Sequence, residues 1–227
     1  KLNTIATFCK GRDISKDDIS EEGKTECIRY GELYTQYNEV IINVISKTTI
    51  DKENLILSEI NDVIIPASGE TQIDIATASC VMKPGIAIGG DINIIKTKMN
   101  GIFLSYYLNN KKRYDIAKLA QGISVIHLYS SQLALLNISL PTHPEQQKIA
   151  SFLTAVDERI QQLTKKKNLL EQYKKGIMQQ IFSQKIRFKP ALSGVEGDDQ
   201  GNDFPEWGEK KFSTFLNLTT REVEKPN

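Results

Sequence analysis

The stretch from Leu140 to Phe188 constrains the fold more than any other part of the chain. It reads LPTHPEQQKIASFLTAVDERIQQLTKKKNLLEQYKKGIMQQIFSQKIRF, and no proline interrupts it between Pro144 and Pro190. Thr142 and Glu145 fit the S/T-x-x-E capping box, and Pro144 suits the first helical turn. Pro144 also disfavours helical backbone at His143, which favours His143 over Thr142 as the cap. The expectation is one helix about 60 Å long at ~1.5 Å per residue, ending near Gln184. A helix of that length cannot bury its apolar stripe inside a domain of this size. It must find another helix.

The stripe has a seven-residue period. Ile149, Val156, Leu163, Leu170 and Ile177 form one series without a polar break. The companion series Leu153, Ile160, Lys167, Lys174, Ile181 is apolar at both ends and carries lysine in the middle, where Leu169 and Tyr173 widen the stripe. Sustained sevens predict a supercoiled helix pair, with Ile149, Leu153, Val156, Ile160, Leu163, Leu170, Ile177 and Ile181 at the seam. From Pro141 to Pro190, ten Lys and Arg stand against four Asp and Glu. That excess marks either a solvated face or a face turned to an acidic partner or nucleic acid.

Length allows one sizeable domain besides the helix: the chain has 227 residues. Its net charge of +1 supplies no global field toward DNA or membrane. No apolar run approaches the ~18 residues of a membrane span, and no signal peptide is visible. Cys9, Cys27 and Cys80 are scattered and odd in number, which predicts reduced thiols and a cytoplasmic location. His127 and His143 are the only histidines and neither lies near a cysteine in sequence, so no metal site is expected.

Residues 1–140 read as a mixed, strand-rich domain with fifteen basic and sixteen acidic residues. Expected strands are Val40–Ile45, Asp62–Ile65, Ile86–Ile88 and Ile92–Ile95, with Pro66–Glu70 and Pro84–Gly85 as loops between them. Residues 100–112 carry Phe103, Tyr106, Tyr107 and Leu108 at helical spacing, as a core stripe. Lys111, Lys112 and Arg113 then complement a helix C-terminus, with phosphate contact as the other reading. The fold class is α+β: a strand-rich domain at 1–140, the long helix at 141–188, a polar linker at 189–203, and a further opening segment at 204–227. That segment echoes the start of the chain. Lys211-Phe212-Ser213-Thr214-Phe215 aligns with Lys1-Leu2-Asn3-Thr4-Ile5 at an offset of 210, which implies a second copy of a domain-plus-helix unit.

No catalytic signature emerges. There is no Gly-x-x-x-x-Gly-Lys-Ser/Thr phosphate loop and no Asn-Pro-Pro-aromatic motif. Gly85–Asp91, GIAIGGD, lacks G-x-G-x-x-G spacing and reads as a turn between strands. Asp17-Asp18 with Glu22-Gly23-Lys24 is too compressed for a nuclease D…E-x-K.

The pattern L-P-x-x-P-E-Q-Q-K-I-A-x-F-L-x-x-x-D-x-x-I, followed by K-K-x-x-L-L-E-x-Y-K-K-G-I-M-Q-Q-I-F-S and I-R-F, runs from Leu140 through Phe188. With Phe204-Pro205-Glu206-Trp207, it resembles the specificity subunit of type I restriction–modification systems. The resemblance implies two target-recognition domains, each reading half of a split DNA sequence, spaced by two antiparallel helices. It also implies partners: double-stranded DNA, methyltransferase subunits that carry S-adenosylmethionine, and a restriction/translocase subunit. This chain would hold no cofactor and do no chemistry. A lone copy would form a homodimer through the helix. A coiled-coil protein whose head binds protein instead of DNA is the competing class.

Sequence readout needs donors and acceptors on base edges and cations on phosphates. Two candidate groups come from the residues: Lys10, Arg12, Ser15 and Lys16, set against a solvated loop; and Arg29, Tyr30 and Tyr34, set against a core role. The resemblance places small polar turns near DNA at two further groups. These are Ser68, Gly69, Thr71 and Gln72, then Gln121, Gly122 and Ser124.

Overall fold

Continuous apolar runs in the first 140 residues mark strands covered on both faces. The computed structural model describes residues 1–122, 125–188 and 206–211. The elements in order are β1 (Ala6–Lys10), β2 (Thr25–Ile28), α1 (Tyr30–Thr35), β3 (Val40–Ile41), β4 (Ser46–Thr48), β5 (Asp62–Pro66), β6 (Ser68–Gly69), α2 (Gln72–Ile75), β7 (Ser79–Val81), β8 (Ala87–Ile88), β9 (Ile92–Thr97), α3 (Gly101–Asn110), α4 (Arg113–Leu119), β10 (Ile126–His127), α5 (Ser130–Ala134) and α6 (His143–Phe182). The chain divides into two compact units, 1–162 and 163–227.

In the first unit a five-stranded sheet has the order β1-β9-β5-β7-β3. All pairings are antiparallel except β3 with β7. Side chains alternate across each strand. Val63 and Ile65 of β5 and Ile95 of β9 therefore enter one core with Leu104 and Leu108 of α3 and Ile116 of α4. Ile64, Ile92 and Ile94 enter the other, with Leu33 of α1 and Ile28, Ile86 and Ile88. Every residue of β5 is buried. Burial of both faces explains why these runs show no polar alternation. A second sheet, β4-β2-β8, and a two-stranded pair, β10-β6, complete the unit.

Two local expectations are corrected. Val40–Ile45 is not one strand: pairing with β7 stops at Ile41, and Ile42 and Ile45 are exposed. Pro66–Glu70 is not a loop either. Pro66 closes β5, while Ser68–Gly69 forms β6, buried and paired with β10. The basic cluster also differs. Lys111 ends α3, but Arg113 begins α4, and Lys112 pairs with Asp115 at 2.8 Å. It complements one helix end and opens the next.

The long helix spans 40 residues. Its cap is Thr142 and not His143, because the Thr142 carbonyl accepts the first helical bond, from Gln146 N–H at 2.9 Å. Gln146 also reaches back: its Nε2 donates to Pro141 O at 3.0 Å, and its Oε1 accepts from Asn100 N at 3.3 Å. Gln146 and Ala150 are buried, and the Tyr106 hydroxyl donates to Asp157 Oδ2 at 2.5 Å. This face anchors the start of the helix within the first unit.

The seam residues lie on a different face. At ~100° per residue, Val156, Ile160 and Leu163 are rotated by roughly a quarter turn from the Gln146–Ala150–Asp157 face. Val156, Ile160, Leu163 and Leu170 are 40–56% exposed, while Ile149, Leu153, Ile177 and Ile181 are partly buried. In the second unit, Gln184 takes a left-handed φ of 59°, and Lys185 and Ile186 N–H both donate to Gln180 O, which ends the helix. Arg187 pairs with Glu206 at 2.6 Å, and Trp207 meets Phe182 edge-on. The 189–203 segment and Phe212–Phe215 of the repeat lie outside the described residues.

Candidate nucleic-acid interface

Three strand ends define the site. Lys10 closes β1, Ile92 opens β9 and Pro66 closes β5; the registers Lys10↔Asn93 and Pro66↔Ile92 put them at one end of the main sheet. Loops leaving that end carry candidates that are far apart in sequence.

The first two candidate groups meet there. Asp13, Ile14, Ser15, Arg29, Tyr30 and the Gly89-Gly90-Asp91 turn line a cavity of about 120 Å³. The turn between β8 and β9 is tight because backbones cross in contact. A Cβ on Gly11 would sit 2.0 Å from Gly89 O, and one on Gly90 would sit 2.9 Å from Asp13 Cα. The glycine-rich run thus packs the chain on itself. Lys10 Nζ lies 3.5 Å from an Asp91 carboxylate oxygen, with both side chains about half exposed. Arg12 and Lys16 are exposed, and Arg12 is fixed through its backbone, N–H to Ile88 O at 2.9 Å. The Ser15 hydroxyl is engaged: it donates to Asp18 Oδ2 at 2.5 Å, as does Ser15 N–H at 2.8 Å. Those bonds hold the Asp18 carboxyl below its ordinary value. Arg29 caps α1, its N–H donating to Glu32 Oε2 at 3.2 Å. Tyr30 and Tyr34 are half-buried on α1, and burial pushes the Tyr34 phenol up, helped by Tyr30, Glu70 and Asp74 nearby.

The other two groups also meet, where β6 pairs with β10 and Gln121 bridges His127, and Ala67 ties them to this end of the sheet. Ala67 N–H donates to Asp91 O at 2.7 Å, and Ala67 O accepts from Leu128 N–H at 3.0 Å. This couples the turn at Gly89–Asp91 to β6 and β10. Ser68 and Gly69 pair with His127 and Ile126, so they are buried rather than displayed on a turn. Thr71 is exposed and caps α2; it accepts from Asp74 N–H at 3.1 Å and donates to Asp74 Oδ2 at 2.6 Å. Gln72 is exposed in the same turn. Gln121 and Gly122 are exposed. Gln121 exchanges both backbone bonds with His127, at 2.9 and 2.7 Å, and Gly122 has φ 140°, a backbone state that favours glycine. Ser124 lies outside the described residues.

Sequence reasoning missed His127 and Tyr129. Their exposed rings stack with centroids 6.4 Å apart, and Ser68 Oγ lies 3.2 Å from His127 Nδ1. Nothing local signals this, because the partners are 59 residues apart. A larger cavity of about 800 Å³ lies at the opposite ends of β1 and β9, beside His143 and Gln146, away from these loops. Among the described residues no group of three or more His, Cys, Asp or Glu is placed to hold a metal ion, and no helix is long and apolar enough to cross a membrane.

The surface mixes signs: Lys10 pairs with Asp91, Arg29 shares a cavity with Asp13 and Asp91, and Glu70 and Asp74 lie near Tyr34. It offers directional donors and acceptors around a few cations, a composition suited to base edges more than to a bare phosphate clamp.

The chain is similar to known proteins over this whole region. It is 30% identical over 168 residues to a putative type I restriction enzyme MjaX specificity subunit of Methanocaldococcus jannaschii, covering 74% of this chain and 36% of that protein. Its fold is similar to the crystal structure of the type I restriction–modification S subunit from M. genitalium, with a TM-score of 0.55 at 19% identity over 80% of this chain and 44% of that one. A chain from a structure on complex assembly and conformational transition of the type I R-M system gives 0.57 at 15% identity, over 81% and 44%. The chain spans less than half the length of these relatives. The family model for the type I restriction modification DNA specificity domain matches residues 1–172, and the chain belongs to that family.

Proposed function

We propose that this chain reads one half of a bipartite DNA target inside a type I restriction–modification complex. The loops at the end of the five-stranded sheet make the contacts, and α6 sets the distance to a second recognition unit. The observation that carries this reading is convergence: described residues of four segments, at 10–16, 29–34, 68–72 and 121–122 with 125–129, gather at one sheet end. Methyltransferase subunits dock on the assembly and bring S-adenosylmethionine, and the restriction subunit joins it. The exposed seam of α6 pairs antiparallel with a second copy, or with the second repeat of a longer parent. This chain contributes recognition, not catalysis.

The test is a salt series of DNA-binding isotherms on the chain with Lys10, Arg12 and Lys16 replaced by Ala. Each lost phosphate contact lowers the slope of log K against log salt by about 0.9. Weaker binding with a shallower slope is expected; unchanged binding across the series would remove this cluster from the interface.

A further inference from the structure

We infer that His127 is a base-reading residue, its ring set by the buried Ser68 hydroxyl so that Nε2–H faces a hydrogen-bond acceptor on a base edge. The inference rests on the DNA-reading role proposed above and names an atom that does the reading.

Ser68 is 5% exposed and lies opposite His127 in the β6–β10 pair. Its Oγ is 3.2 Å from Nδ1. A serine hydroxyl has one proton to donate, and Nδ1 is the acceptor the fold gives it. Among the described residues the buried hydroxyl has no other acceptor, and folded proteins satisfy such groups. With Nδ1 accepting from Ser68, Nε2 is left as the ring's donor. Among the described residues Nε2 has no protein partner, and His127 is exposed.

Two further restraints hold the ring. It stacks on Tyr129, with an interplanar angle of 27°. Both backbone groups of His127 are already bonded to Gln121, so only the side chain is left to make new bonds. A donor fixed in position and plane before binding loses little freedom on contact, and that is what selects one base over another. Gln121, its backbone partner, and Gly122 beside it are exposed.

The experiment selects bound sequences from a randomised duplex pool, using the full chain and its His127→Ala, His127→Phe and Ser68→Ala variants. Salt slopes are measured on the best sequence. His127→Ala is expected to lose discrimination at one base position by roughly tenfold, leaving the other positions and the salt slope unchanged. His127→Phe keeps the stacked ring and removes only the nitrogens, so it shows the same loss even if the alanine variant melts early. Ser68→Ala weakens preference at that same position by a smaller factor. Unaltered preference at every position in both His127 variants overturns the inference, as does a uniform loss across sequences with a shallower slope. If the unsubstituted chain selects no sequence, the DNA-reading role fails, and this inference with it.

Discussion

Lys10 differs from Arg12 and Lys16 in its company. Its ammonium sits 3.5 Å from Asp91, with both groups about half exposed, so the pair adds at most about 1 kcal/mol to stability. For DNA the same carboxylate matters more. It offsets the Lys10 charge and repels phosphate directly. Asp91→Asn is therefore expected to tighten DNA binding and to steepen the salt slope by about 1, with little change in melting temperature. Weaker binding by this variant in the same isotherms would mean that Asp91 accepts from the DNA. The cysteines support a separate prediction. Cys27 and Cys80 are fully buried, and burial pushes both thiols from 9.0 up to about 12. Between those values the unfolded chain has lost thiol protons that the native state retains, so stability falls as pH rises. Urea midpoints should decline from pH 9 upward, and Cys80→Ala should flatten the decline. In native protein a thiol reagent should reach Cys9 first, since it alone of the three is partly exposed.

Among the elements, α6 was the most legible and its environment the least. Its period, its start within one residue and its end within two could all be read from local sequence, because helix signals are local. The anchoring face could not be read. Tyr106 and Asp157 are 51 residues apart, and a polar pair gives no periodic signal. Strands divided in the same way. Asp62–Ile65 and Ile92–Ile95 were clear because burial on both faces places β-branched residues at consecutive positions, Val63-Ile64-Ile65 and Ile94-Ile95. Val40–Ile45 looked alike but lost its pairing partner after Ile41, which depends on where β7 runs. Ser68 and Gly69 read as a turn because their partner strand is only two residues long. The anchoring face and the seam make separable predictions. Tyr106→Phe removes a hydrogen bond to a charged group and should cost about 1.5–3 kcal/mol, read as a lower urea midpoint and faster amide exchange in the first turns of α6. It should leave self-association intact. Leu163→Asp should do the reverse, abolishing the dimer in sedimentation at micromolar concentration while the head melts normally. A wild-type chain that sediments as a monomer there would count strongly against the paired seam.

At the scale of the whole molecule, the proposal separates what is read from how far apart it is read. In the proposed reading the sheet-end loops hold the half-site, and all of them precede α6, which begins at His143. Lengthening α6 should therefore move the half-sites without rewriting them. The insertion must respect the seam. Seven residues added between Leu163 and Leu170 preserve the phase of the apolar stripe and lengthen the helix by about 10.5 Å. In an antiparallel pair, each head stands near the start of its own helix, so the two heads separate by that same length. At ~3.4 Å per base pair, the gap between half-sites should grow by about three base pairs. An insertion of four residues instead turns the following stripe by roughly 40° relative to the first half. It should weaken pairing before it shifts the gap. Selection from randomised duplexes, or mapping of methylated sites in a host carrying the lengthened chain, measures gap and half-sites together. A longer gap with unchanged half-sites is the expected result; altered half-sites would mean that helix and head do not divide the work in this way.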